Sequence, residues 1–232
     1  MSKVNGIHHL GISTADMKGQ LNFFTQVLGM ELIAIFPMHG TNGAHHAFVR
    51  LNDHTNLALM WAPDVDERTV MSGSTHAGHA GEVSAPGTMQ HLAFTVPTKE
   101  DLLQMRNRIR SHGLPVLGTI DHGMTESIYF RGPENLNLEV VAEGPPIDVD
   151  EWIDPEVVAA CGISQEELAK MRSPEPYEEP DEPVPQPAYD ESKPNFNMPN
   201  LKEVLSIPDE QLSAMRSYNE PPAPKKKAKA DA

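Results

Sequence analysis

Two stretches alternate in the same way and each runs on into a helical pattern. Over residues 7–13, His9, Gly11 and Ser13 share one face of a strand. Over residues 91–96, His91, Ala93 and Thr95 fall on one face, and Leu92, Phe94 and Val96 on the other. The large apolar face calls for a helix to pack on. His91 is thereby left facing a roomy space with small neighbours. After the first strand, Met17, Leu21, Phe24 and Leu28 recur at helical spacing and predict a helix over 16–28. Ser13 or Thr14 suits its N-cap, and Gly29 its end. Strand-like runs follow at 30–36, 44–51 and 56–61, with turn residues at 39–43. The second stretch repeats the plan. Leu102, Met105, Arg106 and Ile109 line one side of a helix over 98–112, opened by Thr98 and Asp101 as a capping box and closed by Gly113. Strands follow at 116–120, 126–131 and 137–142. The fold class is therefore α+β: two tandem β-α-β-β-β modules forming a curved mixed sheet around a cavity.

The pattern divides the chain into a first module over 1–63, a linker over 64–88 and a second module over 89–145. Within the linker, residues 72–88 are rich in Gly, Ser, Ala and His and have little periodicity; His76 and His79 suit loop ligands or a cavity rim. Short helices are expected within 146–172. Residues 173–199 carry eight prolines and seven carboxylates against one lysine, which reads as an extended linker. A docking helix is expected within 200–218, because Ile207–Ser217 echoes Ile163–Ser173. A basic tail, residues 219–232, closes the chain.

Composition narrows the partners. A net charge of −15 over 232 residues argues against a nucleic-acid partner. No apolar stretch approaches the roughly 20 residues a spanning helix needs, so no membrane partner is expected. The first residues lack the apolar region of a secretory signal, and the single cysteine, Cys161, fits a reducing compartment; a cytoplasmic location is expected. Eleven histidines stand out, seven of them between His39 and His91, and direct attention to nitrogen and oxygen metal ligands. Taken singly, His91 also fits a satisfied core histidine and Glu139 an edge carboxylate. The pair gains weight because the inward histidine occurs twice.

Paired β-α-β-β-β modules that open with His-Leu-Gly or His-Leu-Ala resemble the vicinal oxygen chelate superfamily. The stretch Gly132-Pro133-Glu134-Asn135-Leu136-Asn137-Leu138-Glu139 is similar to that superfamily's Asp-Pro-Asp-Gly-Asn-x-x-Glu signature. Gly132 stands in place of the usual Asp and Asn135 in place of the usual Gly. The resemblance implies metal ligation by His9, His91 and Glu139. Four-ligand members draw their fourth ligand from the last strand of the first module, and residues 55–61 offer neither carboxylate nor histidine. Three ligands leave coordination positions open, as in non-haem Fe(II) oxygenases. The nearest branch is thus the type I extradiol ring-cleaving dioxygenases.

That branch carries a tyrosine ten residues before the ligand Glu, where Tyr129 stands (139 − 129 = 10), and a His-Gly-type turn, matched by His122-Gly123. Tyr129 also fits a core strand aromatic and His122 a surface turn. A further family histidine falls at Thr55, with His54 one position early, and one residue in a strand reverses the facing. The resemblance then implies an Fe(II) enzyme acting on a catechol-type aromatic and O2, with His54, His122 and Tyr129 as catalytic groups and a homodimer or higher homo-oligomer as the assembly. Mn, Zn or Ni in a glyoxalase-like lyase or isomerase, and a metal-free small-molecule-binding protein, are the alternatives.

Overall fold

The computed structural model describes residues 4–218 and 220–222. The basic cluster at Lys225, Lys226, Lys227 and Lys229 lies outside them. Strand β1 (His9–Ser13) leads into α1 (Met17–Asn22), which widens to a π-helical turn over Phe23–Val27. Strands β2 (Glu31–Pro37), β3 (His45–Arg50) and β4 (Asn56–Trp61) complete the first module. The second runs β5 (Leu92–Val96), α2 (Lys99–Ser111), β6 (Val116–Asp121), β7 (Thr125–Arg131) and β8 (Asn137–Glu143). Each module folds its own four-stranded mixed sheet, in the orders β1-β4-β3-β2 and β5-β8-β7-β6. The first strand pairs parallel to the last in both, and the remaining pairs are antiparallel.

Local chemistry fixes the helix ends. Thr98 accepts from the Asp101 amide at 3.1 Å, the expected N-cap, and Asp101 answers through the Thr98 hydroxyl, which donates to its carboxylate at 2.7 Å. The cap of α1 differs from the expectation of Ser13 or Thr14. Asp16 takes that place, its carboxylate accepting from Gly19 N at 2.8 Å, because Thr14 Oγ1 is occupied by the Asp16 amide at 3.0 Å. In β6 the register shifts between Leu117 and Ile120. Gly118 sits at this bulge with φ +102, where a Cβ would lie 2.7 Å from the Ser127 carbonyl, so only glycine fits.

The alternation read from sequence sorts the two faces as expected. Ile12, Val49, Leu57 and Leu59 of the first sheet and Phe94, Ile128, Leu138 and Val140 of the second are buried in one continuous core with Phe24, Leu102 and Ile109. The modules share that core. The Phe23 and Phe130 rings lie 6.4 Å apart, and Arg108 donates to the carbonyls of Val27 (2.7 Å) and Gln26 (2.9 Å). Glu134, held at φ 52, accepts from Ala15 N at 2.6 Å and from Gln20 Nε2 at 2.7 Å. The opposite faces stay open: His9, Gly11 and Ser13 in β1, and Ala93 and Thr95 in β5, are exposed.

Residues 5–164 form one compact unit, which includes α3 (Val149–Trp152) and α4 (Pro155–Ala160). Gln165 onward belongs to a second unit. There α5 (Gln165–Arg172) is followed by residues 173–200, which hold neither helix nor strand. The helix expected within 200–218 is two, α6 (Leu201–Leu205) and α7 (Asp209–Arg216), separated where Ile207-Pro208 interrupts the backbone pattern. Both copies of the sequence echo, at α5 and α7, are helical. Among the described residues no helix is long and apolar enough to cross a membrane.

Candidate functional site

The open face of the second sheet collects the chemistry. Cross-strand pairing sets Tyr129 directly beside Glu139, and Glu139 beside Ala93. His91 stands just before β5, and its Nε2 lies 2.9 Å from Glu139 Oε2. Glu139 is 5% exposed, so this carboxylate has left most of its water and depends on partners. Tyr129 is one. Burial pushes the phenol pKa up first, and its hydrogen bond to Glu139 pushes it further, which keeps the hydroxyl protonated as a donor. On its other side Tyr129 Oη meets His122 Nε2 at 2.9 Å. His122 itself is exposed in the turn between β6 and β7.

Gln90, the residue before His91, lies outside the alternating pattern, and the structure gives it a role. Its side-chain Nε2 donates to the carbonyls of His79 (3.3 Å), Ala80 (2.8 Å) and Glu82 (2.8 Å). An amide so engaged cannot be turned round, so its Oε1 is the group that meets His91 Nδ1 at close range. His91 therefore donates from Nδ1 to Gln90 and aims Nε2 at Glu139. A lone pair on Nε2 facing a carboxylate is repulsive unless a proton or a cation sits between them. That donor set, one imidazole nitrogen and one buried carboxylate with the imidazole braced from behind, fits a divalent metal as two of its ligands.

A cavity of about 750 Å³ opens beside this row. Leu117, Ile120, His122, Tyr129, Arg131 and Asn137 form one wall, and the Gly78-His79-Ala80-Gly81 loop forms the roof. Arg131 Nη1 holds the roof by the carbonyls of Ala77 (2.8 Å) and Gly78 (3.0 Å). His91 and Glu139 adjoin the cavity through Tyr129. His79 lies in the roof; His76 meets Thr75 Oγ1 at 3.1 Å and does not line this cavity.

His9 lies elsewhere. It occupies the open face of the first sheet, with His8 Nδ1 2.9 Å from its Nδ1 and the Phe48 ring 5.6 Å away. His46 shares that face; burial lowers its pKa first, and the neighbouring His9 and His39 lower it further. Among the described residues no three His, Cys, Asp or Glu side chains stand together as a metal site. The structure thus joins His91 to Glu139 and Tyr129 to His122, and does not bring His9 to them within one chain. His54 is exposed in the turn over 52–55, where Asn52 Oδ1 accepts from its amide at 2.8 Å, and it is absent from the cavity wall.

The Glyoxalase/Bleomycin resistance protein/Dioxygenase superfamily pattern matches residues 6–140, more than half of the chain, and the chain belongs to that superfamily. Among characterised relatives, Biphenyl-2,3-diol 1,2-dioxygenase 3 of Rhodococcus globerulus is 25% identical over 49% of this chain and 54% of its own length. Biphenyl-2,3-diol 1,2-dioxygenase 2 of the same organism is 26% identical over 57% and 60%. The chain thus spans little more than half the length of these relatives. Among solved structures, a glyoxylase/bleomycin resistance protein/dioxygenase domain from Frankia sp. EAN1pec superposes with a TM-score of 0.47 at 16% identity, covering 61% of this chain and 99% of that one.

Proposed function

We propose that the protein is an Fe(II)-dependent extradiol dioxygenase that opens a catechol-type ring with O2. In this reading His9, His91 and Glu139 are the metal ligands, and the site is completed between two copies of the chain. The observation that carries it is the row of His91, Glu139, Tyr129 and His122, with 2.9 Å contacts at its two ends, beside a largely apolar cavity. The dimer is supported by the open faces. Helix-side packing spends the apolar faces of both sheets on the shared core, which leaves exposed His9 on one sheet and the His91–Glu139 pair on the other. A second copy related by twofold symmetry would set each His9 against the partner's pair, twice.

Bound Fe(II) would supply an electron-rich centre with open positions for the two catechol oxygens and for O2. The chain's own groups do the rest. Gln90 braces His91 so that Nε2 points into the site. Tyr129 donates to Glu139 and fixes the carboxylate's orientation. His122, exposed at the cavity mouth, is the chain's group that would supply the ring-opening with a proton, and Tyr129 Oη, 2.9 Å from its Nε2, orients the imidazole. The apolar wall of Leu117 and Ile120 takes the ring and its substituent. Both atoms of O2 enter a ring-opened semialdehyde acid. Ala58 stands at the first-module position equivalent to Glu139, so a fourth protein ligand is missing there, which favours this reading over a four-ligand lyase or isomerase.

The test is anaerobic loading with Fe(II), Mn(II), Zn(II) or Ni(II), followed by O2 uptake on a panel of catechols. The expected result is uptake of one O2 per catechol with iron and a yellow ring-opened product. Iron-loaded protein that consumes no O2, together with Zn- or Ni-dependent isomerisation, would replace the reading.

A further inference from the structure

We infer that Gln90 is a positioning residue that ties the cavity roof to the ligand imidazole of His91, so that the roof and the metal site hold one geometry. The inference rests on the reading of His91 as a metal ligand. Its two ends do different work. The amide nitrogen, with two hydrogens, serves three carbonyls of the roof: Ala80 and Glu82 at 2.8 Å, and His79 at 3.3 Å. The amide oxygen, forced to the other side, accepts from His91 Nδ1. That contact makes Nδ1 the protonated nitrogen and leaves Nε2 free for a metal beside Glu139.

The backbone adds a third tie. The Gln90 carbonyl accepts from Asn137 Nδ2 at 3.4 Å, and Asn137 is a wall residue of the cavity on the same strand as Glu139. The roof is otherwise held by Arg131, through Ala77 and Gly78, and by the Glu82 carboxylate, which accepts from the Gly78 amide. Within the loop, the Glu82 carboxylate and His79 Nδ1 accept from the amides of Gly78 and Gly81, so these two contacts fix its shape while its attachment to the sheet comes from outside it. Its position under or away from a substrate is therefore set from the sheet, by Arg131 at one end and Gln90 at the other. A substrate that lifts the roof pulls on the Gln90 amide, and through it on His91.

Two substitutions separate the two ends. Gln90→Glu keeps an oxygen for His91 Nδ1–H and puts the other against the roof carbonyls, which repel it. Gln90→Leu removes both contacts. Amide hydrogen exchange of residues 78–82 in the metal-free protein is expected to quicken at least tenfold in both variants. Co(II) titration, followed by the visible absorption of the bound ion, is expected to show affinity about 10–100-fold weaker in Gln90→Leu and within a few-fold of wild type in Gln90→Glu. Wild-type exchange rates in both variants would overturn the proposal, as would Gln90→Leu binding Co(II) as tightly as wild type. A wild-type chain that binds no Co(II), with its roof still loosened in both variants, overturns instead the reading of His91 as a ligand.

Discussion

The two modules share one topology and one register and differ in what they put on their open faces. In the first, Gly11 pairs with Ala58 and Ala58 with Phe48. In the second, Ala93 pairs with Glu139 and Glu139 with Tyr129. The histidine stands two residues ahead of the small residue in both. Two changes at equivalent positions, Ala58 against Glu139 and Phe48 against Tyr129, thus separate an aromatic and imidazole face from one with a carboxylate and a phenol. On the first face the Phe36 and Phe48 rings stack at 6.1 Å, and His46 lies 4.7 Å from Phe48. The helix-facing positions show no such divergence: Ile12, Leu57 and Leu59 match Phe94, Leu138 and Val140 in role and burial. The core conserves the shape of the module, and the open face carries its chemistry.

Making the second face like the first is the strongest way to break this contrast. Glu139→Ala installs what Ala58 already is. It should abolish metal binding, a larger loss than the about 10–100-fold that follows removal of a ligand's hydrogen-bond partner. Metal content after anaerobic loading, with a melting curve to confirm folding, measures it. His122→Phe should keep its metal and still bind catechol, and slow turnover by about 10²–10⁴-fold. Loss of iron from that variant would make His122 a ligand. Tyr129→Phe copies Phe48 and removes one donor to Glu139, with its hold on His122; roughly a tenfold fall in kcat/KM is expected from a neutral hydrogen bond lost inside the protein.

The smallest effect concerns the joint between the modules. Burial alone would raise the Glu134 pKa, but hydrogen bonds from Gln20, Thr14 and the amides of Ala15 and Asp16 outweigh it and hold the carboxyl below its ordinary 4.5. A depressed carboxyl pKa contributes stability that is fully present above 4.5 and is lost as pH falls through the lower folded value. Glu134→Gln should cost about 1 kcal/mol at neutral pH, discounted for an exposed group, and should flatten the acid limb of the stability curve. Urea unfolding at several pH values on both sides of 4.5 reads both.

Much of this is legible in the sequence. Period-2 alternation separated His91, Ala93 and Thr95 from Leu92, Phe94 and Val96, and repetition of the pattern gave the paired modules. The resemblance to the extradiol branch, through Tyr129 ten residues before Glu139 and the His122-Gly123 turn, singled out two side chains that do meet. Three things were not legible. Gln90 reads as a polar residue at a strand start, because its importance lies in three backbone carbonyls, and carbonyls have no sequence signature. The Glu134 clamp depends on two consecutive residues with positive φ, Glu134 and Asn135, and on Gln20, which lies 114 residues away. The separation of His9 from His91 depends on which faces of the modules pack together, and periodicity identifies faces without saying what covers them.

That separation makes subunit complementation the most direct test of the central claim. His9→Ala and Glu139→Ala chains are each inactive alone if both residues are ligands. Mixed in equal amounts and allowed to exchange subunits, half of the dimers become heterodimers. Each heterodimer has one site that lacks both groups and one that is intact. Recovery of about a quarter of wild-type O2 uptake is the result this account predicts. Inactive mixtures, with heterodimers verified by mass, would contradict it and put the ligands of each site back within a single chain.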